Sequence, residues 1–110
     1  MKPNPSEYDK RQIKRMYSLL SDYKSEKISI RKLIDSLEAL HGCLESIDES
    51  WKQGFLGKWG TLEDTYSWAI YQERKHFDEK EAELVDKAIE DITVLLNKLV
   101  SEEELENIEL

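Results

Sequence analysis

Apolar residues recur every three or four positions along most of the chain, with polar residues between them. This period is typical of amphipathic α-helices, and no stretch alternates apolar and polar residues long enough to predict a strand. A first helix is predicted over residues 7–24, because Ser6 and Asp9 have the spacing of a capping box. A second helix follows the cap residue Ser29, and its apolar stripe runs from Ile30 to Ile47.

The pattern of residues in the middle of the chain predicts two shorter helices. A third helix starts near residues 48–50 and ends around Gly60, since three glycines interrupt it and glycine weakens a helix. Its aromatic residues recur at four-residue intervals: Trp51, Phe55 and Trp59. Thr61 and Asp64 again have capping-box spacing, which predicts that a fourth helix opens there.

The last long helix is predicted to begin after Asp78, which forms a third capping-box pattern with Glu81. Its apolar face extends from Val85 to Val100. Residues 101–110 either extend this helix or fray as an acidic tail. The sequence therefore predicts an all-α fold: a compact bundle of about five helices with a short, aromatic-rich third helix, forming one domain over residues 1–110.

Composition narrows the class of protein. The chain has 110 residues, of which 39% are hydrophobic and 36% charged, so it is too apolar for a disordered segment. The chain has a single cysteine, Cys43, and therefore cannot form an internal disulfide. We expect Cys43 to be a small buried hydrophobic residue. No apolar run reaches the length of a membrane span, and the first residues lack the apolar core of a signal peptide. We expect a cytoplasmic protein with no membrane association.

The net charge of −8 argues against a protein that binds nucleic acid. The charge is unevenly distributed: residues 1–32 sum to +5, residues 33–77 to −4 and residues 78–110 to −9. One interpretation is that oppositely charged helices lie side by side, where exposed pairs contribute only ~0–1 kcal/mol each. The other is that the middle and C-terminal thirds present a negative surface to a basic partner.

The residues offer little catalytic chemistry. Glu38 with His41, and Glu73 with His76, each have the Glu-x-x-His spacing found in metal-binding helical bundles. A di-metal site would need two more inward glutamates, and helix one offers them only near its ends. We therefore predict no catalytic residue, metal ion or cofactor, and keep a small metal-binding enzyme as the least favoured alternative.

Six aromatic residues fall between positions 51 and 71. Most are expected to form the core, with the intervening glycines allowing close approach. One or two could instead reach the surface among neighbouring carboxylates, as a binding hot spot for a basic protein.

The pattern from Ile47 to Arg74 resembles small bacterial proteins with a Trp-rich middle and a capped, acidic last helix. Its main elements are the run Asp-Glu-Ser-Trp at 48–51, Trp59, and Glu63 with Tyr66. Those proteins resemble the α-helical immunity proteins of contact-dependent growth-inhibition and related polymorphic toxin systems. The resemblance implies a cytoplasmic inhibitor that binds one cognate toxin domain, often a basic nuclease, and blocks its active site.

Charge and resemblance together predict a contact surface made of acidic and aromatic side chains. Its residues in the middle segment are Asp48, Glu49, Trp51, Glu63, Asp64 and Trp68; those in the C-terminal segment are Glu102, Glu103 and Glu104. The chain is expected to be a monomer or a weak homodimer. The alternative function is a helical adaptor that associates with itself through an apolar face.

Overall fold

Five helices make up the structure. The computed structural model describes residues 5–108, apart from the side chain of Glu102. The helices are α1 (Glu7–Lys24), α2 (Ile30–Cys43), α3 (Glu49–Tyr71), α4 (Glu79–Asn97) and α5 (Glu102–Glu106). No strand occurs within the described range. The predicted all-α class and the count of about five helices are confirmed, but the prediction of a short third helix is wrong, because α3 is the longest of the five.

Helices α1 to α4 form an antiparallel bundle, because short connections leave consecutive helices side by side. α3 packs most extensively on α4 and α1 on α2, while contacts between α1 and α4 close the ring. The ion pair between Lys58 and Asp91, at 3.5 Å, fixes the register of α3 against α4. We call the end with the α2–α3 loop the lower end and the end with the α3–α4 loop the upper end.

Helix starts follow the sequence signals closely in three cases. The Ser6 hydroxyl accepts from the backbone N–H of Asp9 at 3.0 Å, and the Asp9 carboxylate accepts from the backbone N–H of Ser6. Asp78 and Glu81 form the same reciprocal box at the start of α4. Ser29 caps α2 through the N–H of Lys32. The predicted caps of these three helices are confirmed.

The predicted break at Gly60 is wrong, because α3 runs unbroken through all three glycines. Thr61 caps nothing: it lies inside the helix and its hydroxyl donates back to the carbonyl of Gly57. Each glycine costs the helix about 1 kcal/mol relative to alanine. Burial of the apolar face stabilises it by roughly 1.5–3 kcal/mol for each large side chain, which outweighs that cost. This face keeps one helical phase throughout: Trp51, Phe55, Leu62 and Ala69.

The core lies on the inward faces of α1 to α4. Its fully buried side chains include Ile13, Met16, Leu33, Leu37, Phe55, Leu62, Val85, Ile89, Ile92 and Leu96. The prediction that Cys43 is buried is wrong, since its thiol is exposed. Cys43 comes six residues after the buried Leu37, so its side chain points about 240° around the helix from that of Leu37. This direction faces solvent.

The segment after α4 neither extends that helix nor frays over residues 101–108. The chain turns after Asn97 and forms the short helix α5, capped by Ser101. Ile108 is buried in the core and Leu105 packs against it. Lys10 of α1 pairs with Glu104 at 3.4 Å, so α5 lies against α1. The rest of the predicted tail, residues 109–110, lies outside the described residues.

Candidate functional site

The C-terminal half of α3 carries three residues of the predicted contact surface. Asp64 and Trp68 are four residues apart, which places their side chains on the same side of the helix. Glu63 is half-buried and lies on a different side, since consecutive helix positions are about 100° apart, whereas Asp64 is exposed. Trp68 is 56% exposed, so an indole does reach the surface next to carboxylates.

A second exposed aromatic ring, that of Tyr71, lies next to Trp68. This ring was not part of the predicted contact surface. Tyr71 is 77% exposed, and its ring stacks on the indole with centroids 5.8 Å apart. We call Trp68 and Tyr71 the aromatic pair. Leu84 of α4 is also exposed. Because α3 and α4 are antiparallel and Lys58 pairs with Asp91, Leu84 lies at the level of Thr65, within one helical turn of Trp68. Apolar surface is therefore concentrated near the upper end of α3.

On the other side of Glu63, α2 and α3 enclose a hollow of about 270 Å³. Three carboxylates line it, Asp35, Glu38 and Glu63, and the rings of Trp59 and Tyr66 form part of its wall. We call this feature the acidic hollow. Asp35 and Glu38 were missed because both lie on α2, and the pairing of α2 with α3 cannot be read from either segment alone.

Arg31 is the one cationic side chain of the acidic hollow. Its Nε donates to the Asp35 carboxylate at 2.8 Å, and this bond is the main reason why the pKa of Arg31 is raised. The guanidinium also lies 6.0 Å from the centroid of the Tyr66 ring. Glu38 and Glu63 form no salt bridge with any residue from 5 to 108. The hollow therefore keeps a net negative charge.

Trp51 does not belong to this surface. It is only 8% exposed, and its indole N–H donates to the backbone carbonyl of Leu95 at 2.8 Å. Its ring stacks on Phe55, with centroids 5.5 Å apart. The half-buried Trp59 makes the matching bond on the other side of α3, from its N–H to the carbonyl of Ile34. These two indoles attach α3 to α4 and α2, so the prediction of Trp51 as a surface anchor is wrong.

The other predicted acidic residues lie elsewhere. Fifteen residues of α3, or about 22 Å, separate Glu49 from Asp64. Asp48 accepts a hydrogen bond from Ser50, and Glu49 accepts one from Gln53. These carboxylates thus belong to the lower end of the bundle.

The predicted acidic residues of the C-terminal segment are on α5. Glu103 and Glu104 are exposed there, and Glu104 faces Lys10 of α1. The side chain of Glu102 lies outside the described part of the chain. The structure does not join this group to the carboxylates on the C-terminal half of α3.

The two histidines are far apart. His41 stacks on Phe55 at 5.1 Å, and its Nε2 lies 3.2 Å from the carbonyl oxygen of Lys52 near the lower end. Burial lowers the pKa of His41, so the neutral ring donates to that carbonyl. His76 is exposed near the upper end. The length of α3 from Lys52 to Tyr71, about 28 Å, separates the two ends. The two Glu-x-x-His pairs therefore do not meet.

Within the described chain, no three side chains of His, Cys, Asp or Glu form a group that could hold a metal ion. No helix there has both the length and the apolar character needed to cross a membrane. No protein-family model matches the sequence, and no curated protein or solved structure matches it. What the molecule does must therefore be inferred from its own geometry and charge.

Proposed function

We propose that this protein is a cytoplasmic immunity protein. It binds a cognate toxin domain with a basic active site, such as that of a nuclease, and covers this site with the C-terminal half of α3. The observation that carries the proposal is that the C-terminal half of α3 bears both features, the acidic hollow on one side and the aromatic pair on another. Glu63 lines the hollow, whereas Asp64 and Trp68 share a different exposed side of the helix.

The carboxylates give the surface its preference for a basic partner. A nuclease must hold phosphates in a positive site, and acidic side chains can stand in for those phosphates. The net charge of −8 raises the rate at which a basic protein arrives and repels nucleic acid. Glu38, Glu63 and Asp64 then supply oriented acceptors for lysine and arginine side chains of the toxin.

The aromatic pair supplies the affinity that charge alone lacks. Binding energy concentrates in a few large side chains that become desolvated, and tryptophan and tyrosine are prominent among them. Trp68 and Tyr71 already stack on each other, so little rotamer freedom is left for them to lose on binding. We expect them to pack against the toxin while the carboxylates surround its active site.

Calorimetry with the toxin domain encoded by the gene directly upstream, where that gene encodes one, tests this proposal. We expect one-to-one binding that weakens as salt is raised, since exposed charges are screened. Charge reversal by Glu63→Lys and Asp64→Lys should weaken binding at least about tenfold, mainly through slower association. Trp68→Ala should weaken it about thirtyfold, the loss typical of a hot-spot residue.

Glu83→Lys with Glu90→Lys is the matched control. Both residues are exposed on α4 and make no salt bridge in the described chain, and the pair changes the net charge by the same amount. If both double variants weaken binding equally, only the net charge matters and the assignment of the surface is wrong. If wild-type protein does not bind the toxin domain, the proposed function is wrong.

The exposed aromatic pair also favours a second candidate, self-association. Two copies that meet through Trp68 and Tyr71 would cover these rings and leave the acidic hollow open. Sedimentation equilibrium separates the candidates. A monomer of 13.0 kDa that binds the toxin supports the immunity function, whereas a dimer lost on Trp68→Ala supports the adaptor.

A further inference from the structure

A second concave feature lies at the upper end of the bundle and adjoins the acidic hollow at Tyr66. Here the α1–α2 turn faces the α3–α4 loop across a cleft of about 550 Å³. We call it the end cleft. Its volume lies within the range of small-molecule sites, which is about 300–1,000 Å³.

The floor of the end cleft is aromatic and aliphatic. Tyr23 of α1, Ile30 of α2, Tyr66 of α3 and Phe77 of the α3–α4 loop all line it, and each is half-buried. Four separate elements thus supply one apolar surface that the bundle itself does not cover. A ligand with a compact apolar body would remove this surface from water.

Charge at the end cleft differs from that of the whole molecule. Three cationic side chains line it, Lys24, Arg74 and Lys75, against two carboxylates, Glu26 and Asp86. The N-terminus of α2 also opens onto it through Ser29, and a helix N-terminus favours negative charge. The lining of the cleft therefore carries more cationic than anionic side chains, in a protein whose net charge is −8.

The cations of the cleft differ in their availability. Arg74 is held by Glu81 of α4: its Nη2 donates to Oε2 at 2.6 Å, and its Nη1 donates to Oε1. Lys24 and Lys75 are exposed and form no salt bridge with any residue from 5 to 108. They are the groups free to pair with a ligand.

One of the two carboxylates lies next to the apolar floor. Asp86 projects from α4 beside Tyr23, whose pKa is raised by burial and by this carboxylate. A second negative charge close to Asp86 would be repelled. A ligand should therefore turn its apolar body toward Tyr23 and Tyr66 and its negative group toward Lys24 and Lys75.

We propose that the end cleft binds a small amphipathic anion, with an aromatic or aliphatic body on the floor and one carboxylate between Lys24 and Lys75. Such a ligand fits the volume, the apolar floor and the unpaired lysines together. The site shares the ring of Tyr66 with the acidic hollow but uses none of the carboxylates of that hollow, so it does not depend on the proposed function.

Indole-3-acetate and indole-3-acetamide are suitable probes, because they share one aromatic body and differ by the negative charge. We expect the acetate to cause saturable shifts in ¹H–¹⁵N spectra at the residues around the cleft: Tyr23, Ile30, Ile70, Lys75 and Phe77. The amide should bind about fivefold more weakly, the ratio expected for an exposed ion pair worth about 1 kcal/mol.

Lys75→Gln combined with Lys24→Gln should bring the affinity for the acetate down to that for the amide. Lys98→Gln, at the lower end of α4, removes an exposed lysine far from the cleft and should leave binding unchanged. The proposal is overturned if the acetate causes no saturable shift, if the amide binds equally well, or if the shifts cluster outside the cleft.

Discussion

The backbone N–H of Glu45 donates to Oδ1 of Asp9 at 2.8 Å, which joins the α2–α3 loop to the start of α1. The N–H of Ser46 donates to the other carboxylate oxygen at 3.0 Å, and that oxygen also accepts from Ser6. Asp9 is fully buried, so its carboxylate relies on these donors and not on water. One carboxylate both caps a helix and positions the loop that leads into α3.

We therefore expect Asp9→Ala to lower the free energy of unfolding by about 3 kcal/mol, because three backbone donors lose their charged acceptor. Asp9→Asn keeps one accepting oxygen and should cost less. Urea denaturation measures both changes. A loss below about 0.5 kcal/mol for Asp9→Ala, the range of ordinary surface changes, would show that the carboxylate does not hold the loop.

Acid stability should depend on Glu81. Two hydrogen bonds from Arg74 are the main reason why the pKa of this carboxyl falls from 4.5 to about 2 in the folded protein. A carboxyl with a lowered pKa stabilises the fold above its unfolded pKa, and this contribution disappears as the pH falls from about 4.5 to about 2. Glu81→Gln should be less stable at neutral pH and should lose less stability over that range.

Thermal unfolding of wild type and Glu81→Gln between neutral pH and pH 2 tests this dependence. Glu83→Gln serves as control, because Glu83 is exposed on the same helix and makes no salt bridge in the described chain. Its curve should run parallel to that of the wild type. A constant difference between wild type and Glu81→Gln at every pH would contradict the assignment.

The continuity of α3 predicts the effect of filling its glycines. A Cβ at Gly57 or Gly60 meets no heavy atom within 4 Å. Alanine at either position should therefore raise the free energy of unfolding by about 0.5–1 kcal/mol, because it loses less backbone entropy than glycine. Gly57→Pro should lower it by about 3 kcal/mol. Equal stability of the alanine and proline variants in urea would indicate a break in the helix.

Glu73 is a site for a stabilising substitution. Its φ of 58° lies in the left-handed region, where the chain leaves α3. Glycine adopts this conformation without steric cost, so Glu73→Gly should stabilise the protein by about 0.5–1 kcal/mol. The neighbouring Gln72 has a φ of −80°, and Gln72→Gly should destabilise it. Loss of stability in both variants would contradict the left-handed assignment.

The sequence predicted best where the signal was local. The caps at Ser6, Ser29 and Asp78 use side chains within three residues of the backbone groups they bond. The predicted break at Gly60 was wrong because the prediction rested on the low helix propensity of glycine. The packing that stabilises α3 comes from the neighbouring helices, and the local sequence does not show it. A single helix over residues 51–69 places four apolar residues on one face: Trp51, Phe55, Leu62 and Ala69. This shared face was the signal in the sequence for one continuous helix, because a break would have moved the later residues to another face.

The candidate surface was predictable only on α3. Asp64 and Trp68 are four residues apart, so helical spacing alone brings them together, while Glu63 lies on another side of the same helix. Asp35 and Glu38 join Glu63 through the packing of α2 on α3, and Trp51 leaves the surface because Leu95 accepts its N–H. Such long-range pairings depend on how the helices are arranged, which the pattern of one segment does not specify.

The central claim is that the C-terminal half of α3 neutralises a toxin, and growth protection tests it most directly. Where the gene directly upstream encodes a toxin domain, cells that express this domain should grow when they also make the wild-type protein or the Glu83→Lys/Glu90→Lys variant. They should stop growing with the Glu63→Lys/Asp64→Lys variant, provided that it is present at the same level and equally helical. Failure of the wild type to protect, or full protection by the Glu63→Lys/Asp64→Lys variant, would contradict the account.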